Sequence, residues 1–136
     1  MSYATSPGLQ AAVYKALVAD PVLGGLVGAD IFDMPPKGAL PALYVSLGGE
    51  DARDRSDKTT RGVRLDFSID VVGDGTGFQA VKDVAGAVCD VLVDAPLVLA
   101  RGHLVALNFL SARARRGRNP QLREIGLRFR ALVEDT

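Results

Sequence analysis

The chain has 136 residues, 48% of them hydrophobic, and its 16 basic residues are balanced by 16 acidic ones. That length fits one domain, residues 1–136, with a real core, and zero net charge argues against a dedicated nucleic-acid or membrane-surface binder. The lone cysteine, Cys89, excludes an intrachain disulfide and dependence on an oxidising compartment. The first residues lack a basic, then apolar, leader pattern, so no signal peptide is expected, and no apolar run has the length needed to span a bilayer.

Ser6 followed by Pro7 reads as a helix cap with proline in the first turn. Leu9, Val13, Ala16 and Leu17 then share one helical face to about Ala19. Asp20-Pro21 repeats the signal and predicts a short extra turn ended by Gly24-Gly25. Ile31-Phe32 reads as a brief strand, and the paired prolines Pro35 and Pro36 as a loop. Leu43, Val45 and Leu47 alternate with Tyr44 and Ser46, which predicts a strand stopped by Gly48-Gly49. Residues 50–61 are charged or polar, with nothing apolar larger than Ala52, and read as an exposed, mobile loop.

Val63, Leu65, Phe67, Ile69 and Val71 alternate with Arg64, Asp66, Ser68 and Asp70, the clearest half-buried strand in the chain. With residues 42–48 it predicts an antiparallel hairpin. A glycine-rich turn follows, with Thr76 as its cap. Phe78, Val81, Val84, Ala85, Val88 and Leu92 predict a second main helix, ending before Asp94-Ala95-Pro96. Two more strands are expected over residues 103–112 and 124–133, joined by a basic turn at 113–120. The expected fold is α+β: an antiparallel sheet of about four main strands with two helices packed on one face.

Catalytic chemistry finds little support. Any Ser-His-acid or Cys-His centre would have to use His103, the lone histidine, which sits at a strand start with no nucleophile signature nearby. One His and one Cys do not build a standard zinc site, and no EF-hand spacing occurs. Glu50, Asp51, Asp54 and Asp57 are interleaved with Arg53, Arg55 and Lys58, the pattern of a solvated loop rather than a metal cage. Gly73-x-Gly-x-Gly77 departs from the dinucleotide fingerprint and has no parallel βαβ unit around it. No catalytic residue, cofactor or metal is therefore expected.

Charge is distributed unevenly. Residues 101–136 carry eight arginines against Glu124, Glu134 and Asp135, a net of +5, which leaves −5 on residues 1–100. A neutral chain with two oppositely charged regions suits subunits that meet plus side to minus side. The basic residues expected at an interface are Arg53, Arg55 and Lys58 in the first region and Arg113, Arg115, Arg116, Arg118, Arg128 and Arg130 in the second. The arginines of 113–118 could also touch phosphates, but no aromatic is interleaved with them for base stacking.

One order of patterns runs through nearly the whole chain. A first helix ends in Leu17-Val-Ala-Asp-Pro-Val-Leu23, followed by Ile31-Phe32-Asp33 and prolines. Then come Leu40-Pro41-Ala-Leu-Tyr44-Val-Ser-Leu-Gly48, a charged loop ending near Thr60-Arg-Gly62, an alternating strand and a second helix. The chain closes on Gly126-Leu-Arg-Phe-Arg-Ala-Leu-Val133. This order resembles the tail-terminator, or tail-completion, proteins of long-tailed (siphovirus-like) phages and prophages, and their counterpart in gene transfer agents, which are phage-derived particles.

The resemblance implies a structural, non-enzymatic virion protein. It would form a ring, a hexamer in this family, on the head-proximal end of the tail tube. The ring would end tail elongation and provide the tail side of the head–tail junction. The implied partners are further copies of the chain, the tail-tube protein and the head–tail connector or stopper, with DNA only in transit through the lumen and no membrane. Assembly would take place in the bacterial cytoplasm. A connector, stopper or tail-tube subunit of the same particle is the nearest alternative. A nucleic-acid-binding α+β module is the next, although Phe67, Phe109 and Phe129 all fall on apolar faces. A small enzyme is the last.

Overall fold

The computed structural model describes residues 2–75, 77–117, 119 and 121–135. At its centre lie β3 (Gly62–Asp74) and β5 (Leu122–Glu134), paired antiparallel along their full length. Both alternate apolar and polar residues, so Val63, Leu65, Phe67, Ile69 and Val71 share one face with Ile125, Leu127, Phe129, Ala131 and Val133, and all ten are buried. Outside them lie β2 (Leu43–Asp54), next to β3, and β4 (His103–Arg116), next to β5. A two-residue β1 (Ile31–Phe32) joins the far side of β2 in parallel, giving the order β1-β2-β3-β5-β4.

Three helices cover the apolar face: α1 (Ser6–Ala19), α2 (Pro21–Val27) and α3 (Gly77–Leu92). α3 buries Val81, Val84, Ala85, Ala87, Val88 and Leu92 over β3 and β5. α1 adds Leu9, Val13 and Leu17 to the same core, and α2 adds Leu23 and Val27. The fold is α+β as expected: the brief strand expected at Ile31-Phe32 forms β1 beside the four main strands, and the short turn expected after Asp20-Pro21 is a third helix, α2.

The differences have local causes. The cap of α1 is Thr5, not Ser6; Ser6 is the first helical residue and donates its hydroxyl to Glu50 Oε1 at 2.7 Å. Asp20 does cap α2, accepting from the Leu23 amide at 2.9 Å. That helix runs through Gly24-Gly25 to Val27, because burial of Leu23 and Val27 outweighs the modest helix cost of two glycines. The expected cap at Thr76 lies outside the described residues.

Gly48-Gly49 does not stop β2. It forms a bulge, after which pairing resumes at Glu50↔Phe67 and continues to Asp54↔Val63. A side chain at Gly48 would meet Ser68 Cβ and Asp70 Oδ2 at 3.0 Å each, so any larger residue would require β3 to give way at this close approach. Residues 50–54 are thus ordered by backbone pairing, which requires no apolar burial, and only residues 55–61 form the connecting loop. That loop has its own organisation, since Asp57 Oδ1 accepts from the Thr59 and Thr60 amides at 2.9 and 2.7 Å.

The basic segment 113–120 is likewise mostly strand. β4 continues to Arg116, opposite Arg123, so residues 113–116 belong to the strand. A Cβ at Gly117 would come within 2.6 Å of Leu122 Cβ, which reserves this corner for glycine. Bulges at Val105 and Leu110 keep the apolar members of β4 on the helix-facing side.

Candidate assembly surface

The sheet face away from the helices carries the alternate, polar residues of the central strands, and they are joined in cross-strand ion pairs. Arg130 clamps Asp66 in a bidentate pair through one guanidinium edge, Nε donating to Oδ1 at 2.8 Å and Nη2 to Oδ2 at 3.0 Å. This pair holds the Asp66 carboxyl below its ordinary pKa, with Arg64 and Arg128 adding to the effect. Arg128 reaches Ser68 Oγ at 3.1 Å and Asp51 at 3.5 Å. Arg115 meets Glu124 at 3.2 Å. Asp70 lies between β2 and β5, and burial pushes its carboxyl up. Two glycines make room for it: Gly48 faces its Oδ2, and Gly126 its Oδ1.

The basic residues singled out from sequence fall into three places. Arg53 lies on exposed β2 opposite Arg64, with Arg55 and Lys58 in the hairpin loop just beyond it. Arg113, Arg115 and Arg116 lie on the exposed second half of β4, and Arg118 lies outside the described residues. Arg128 and Arg130 are partly covered in the middle of β5 and engaged by the carboxylates above.

The structure does not bring these groups together. Register across the sheet sets Asp54 level with Leu104, and Arg116 level with Leu43. The loop after β2 and the turn after β4 therefore project from opposite ends of the sheet, about 35 Å apart at strand rise. β2 and β4 are also at opposite sides, with β3 and β5 between them.

Sequence reasoning missed the anchoring of the N-terminus. Glu50 leaves the expected loop to accept hydrogen bonds from Tyr3 Oη and Ser6 Oγ, tying α1 to β2. That carboxylate raises the pKa of the Tyr3 hydroxyl, because a bound phenol proton is harder to remove beside a negative charge. The Ser6-to-Glu50 spacing carries no local signal, so only the fold shows the contact.

His103 is exposed at the start of β4, beside Glu134 in register. Cys89 is half-buried on α3, and burial raises its thiol pKa, the reverse of an activated nucleophile. Among the described residues no three His, Cys, Asp or Glu side chains are grouped to hold a metal. Phe67, Phe109 and Phe129 lie together on the helix-facing side, with Phe129 stacked on Phe67 at 5.6 Å and edge-on to Phe109 at 6.0 Å. No helix among the described residues is long and apolar enough to cross a membrane.

Two sides of the molecule carry unfinished structure. β2 pairs with β1 only at Val45 and Ser46, so its edge from Leu47 to Asp54 has no strand neighbour. Among the described residues β4 has no strand beyond it, and on that edge Leu107 accepts from the Asp94 amide of the preceding segment at 3.0 Å. On its helix-facing side β4 extends past α3, leaving an open groove of about 280 Å³ whose lining includes Gly86, Cys89, Phe109, Ala112 and Ala114. Unpaired edges of this length are what monomeric proteins usually cover or blunt.

Comparison with known proteins agrees with this picture of an assembling subunit. None of the curated protein sequences matches the chain. Among solved structures, a chain from one described as "Virion of native gene transfer agent (GTA) particle" superposes with a TM-score of 0.92 at 53% identity, covering 98% of this chain and 99% of that one. The family model described as "Tail completion protein gp17" matches residues 11–134. With nearly all of its sheet and helices inside that match, the chain belongs to the tail completion protein gp17 family.

Proposed function

We propose that the protein caps the tail tube of a phage-like particle as a ring, ends tail elongation and forms the tail side of the head–tail junction. The observation that carries this reading is that β2 and β4 end at opposite limits of one sheet: the loop 55–61 follows one end and the β4–β5 connection follows the other. A terminator must hold the last ring of the tube on one side and the connector on the other. A subunit with a docking loop at each end of its strands meets that requirement. The similarity to a chain of a gene transfer agent virion and the match to a tail completion family support placement in the tail of such a particle.

Within this reading the ring is a homo-oligomer, hexameric as the family resemblance implies. Its partners are the tail-tube protein and the head–tail connector or stopper, and DNA passes through its lumen. Its role is structural, with no reaction assigned to it. Arg53, Arg55 and Lys58 serve contacts at one end of the strands, and Arg113, Arg115, Arg116 and Arg118 serve contacts near the other. Arg128 and Arg130 act within the subunit, fixing the polar face.

Electron microscopy of particles from a strain lacking this protein tests the proposal. Abnormally long tails, or DNA-filled heads lying apart from tails, are expected. Normal tailed particles would overturn it. The exposed sheet edges also suit a tail-tube subunit, and this reading predicts that the purified protein alone polymerises into long tubes, whereas a terminator forms at most closed rings.

A further inference from the structure

We propose that the second half of β4 accepts an extended, acidic segment of a different virion protein as an added strand, with acids and apolar residues alternating along it. The inference deepens the cap reading above by naming the chemistry of one partner contact, and it rests on that reading for the presence of such a partner.

β4 presents two unfilled features side by side. Its own chain engages the outer edge at Leu107, where the Asp94 amide donates, and from Asn108 to Arg116 no strand lies beside that edge among the described residues. Alternate N–H and C=O groups there point away from β5 and are open to a ladder. Next to the edge, on the helix-facing side, lies the groove of about 280 Å³. It exists because α3 packs over β3 and β5, which leaves β4 beyond the helical layer. Ala85, Gly86, Ala112 and Ala114 keep it open, and Ile125 and Leu127 contribute its apolar floor. Strand addition uses both features: the backbone ladder supplies affinity, and pockets for alternate side chains supply selectivity.

Register sets the chemistry of the occupant. Ala112 lies opposite Leu127 and Ala114 opposite Ile125, so both alanines face the groove. Arg113 and Arg115 face the other way, opposite Gly126 and Glu124. Arg116 returns to the groove side opposite Arg123, whose guanidinium lies over the Phe78 ring at 5.3 Å, with Lys82 over the same ring at 5.8 Å. No acid occurs from Asn108 to Arg116. Arg115 is paired with Glu124, whereas Arg113 and Arg116 have no ion-pair partner among the described residues.

Directly opposed residues of neighbouring strands share a face. Apolar side chains opposite Ala112 and Ala114 therefore fill the groove, and acids opposite Arg113 and Arg115 meet guanidinium groups. A further acid at the groove's end meets Arg116 and Lys82. A basic segment would set cation against cation at each of these places. A second copy supplies no such strand from its open edges. β4 would bring the same arginines, and β2 from Leu47 to Asp54 has no apolar residue after Leu47 larger than Ala52.

A synthetic peptide alternating glutamate and valine, labelled with fluorescein, tests the surface by anisotropy on the purified protein. It should bind at least about tenfold more tightly than its counterpart alternating lysine and valine. Methylating one set of its alternate amides should abolish binding, and methylating the other set should leave it, because only one set faces β4. Arg113→Glu with Arg116→Glu should weaken binding about tenfold or more, whereas Lys15→Glu with Lys37→Glu, an equal change of charge elsewhere, should not. Circular dichroism establishes that each variant folds. Equal affinity for the two peptides, insensitivity to both methylations, or equal losses in the two folded variants would overturn the proposal.

The occupant is identified in assembled particles by a photo-crosslinking residue in place of Ala114. The expected adduct joins this chain to a segment of another virion protein in which acids alternate with apolar residues. An adduct to a second copy, an adduct to a segment without acids, or no adduct in normal particles that contain the variant would overturn the strand addition while leaving the cap reading intact. Normal tails containing no copy of the protein would instead refute the proposed function itself.

Discussion

β4 and β5 are neighbours of nearly equal length, yet they contribute in opposite ways. Every second residue of β5 from Ile125 to Val133 is buried, and Phe129 is fully enclosed between Phe67 and Phe109. β4 buries only Leu107, and from Asn108 to Arg116 both of its faces are exposed. β5 is ordered by its side chains and β4 by its backbone ladder to β5. The difference teaches that strand length here exceeds what folding needs, and the surplus lies on an open edge of the sheet.

Substitutions can break this comparison, beginning with the largest effect. Phe129→Ala should destabilise the protein by about 3–5 kcal/mol, because it empties the site where three aromatic rings meet. Urea unfolding should show a lower midpoint with little change in slope. Phe109→Ala, at a side chain 44% exposed, should cost about 1 kcal/mol, since only part of its area leaves water on folding. Similar midpoint losses for the two variants would erase the distinction between core strand and edge strand.

The ion-paired face gives two smaller predictions of opposite sign. Arg130 lowers the pKa of Asp66 in the folded state. Its stabilisation is therefore fully present above the ordinary carboxylate value of about 4 and is lost as pH falls through the lowered folded value. Asp66→Asn should be less stable than the parent at neutral pH, with the two thermal unfolding curves converging in acid. Burial raises the pKa of Asp70, so its ionised form costs stability above the raised value, and that cost disappears below the unfolded one. Asp70→Asn should match or exceed the parent's melting temperature at neutral pH, and the gap should close in acid. A loss of stability at neutral pH would show that the ionised carboxylate is stabilised by Arg115 more than burial penalises it.

The central strands were legible in the sequence because alternation and burial coincide there. Val63 to Val71 and Ile125 to Val133 carry the period of a half-buried strand, and α3 carries helical spacing from Val81 to Leu92. The edges were legible only in part. Residues 50–54 and 113–116 are polar on both faces, so they carry no periodic signal. Their strand character comes from partners distant in sequence: residues 63–67 for the first and 123–126 for the second. Gly48-Gly49 reads locally as a stop, and only the close approach of β3 makes it a bulge.

The basic residues illustrate the same division. Their number and their concentration after residue 100 were plain from the sequence, as was the opposite charge of the rest of the chain. Register alone decided that Arg128 and Arg130 are engaged by Asp51 and Asp66 within the subunit, while Arg113 and Arg116 stand on an open edge.

What the sequence by itself determined is the α+β class, the core faces of β3, β5 and the helices, and a subunit with two oppositely charged regions. All of these follow from side-chain period and composition, which are local properties. What only the tertiary structure decided is the reach of β2 and β4, the Glu50 anchor and the separation of the two basic groups. These depend on which backbones pair and in what register, a matter of long-range hydrogen bonding rather than of any segment's own residues.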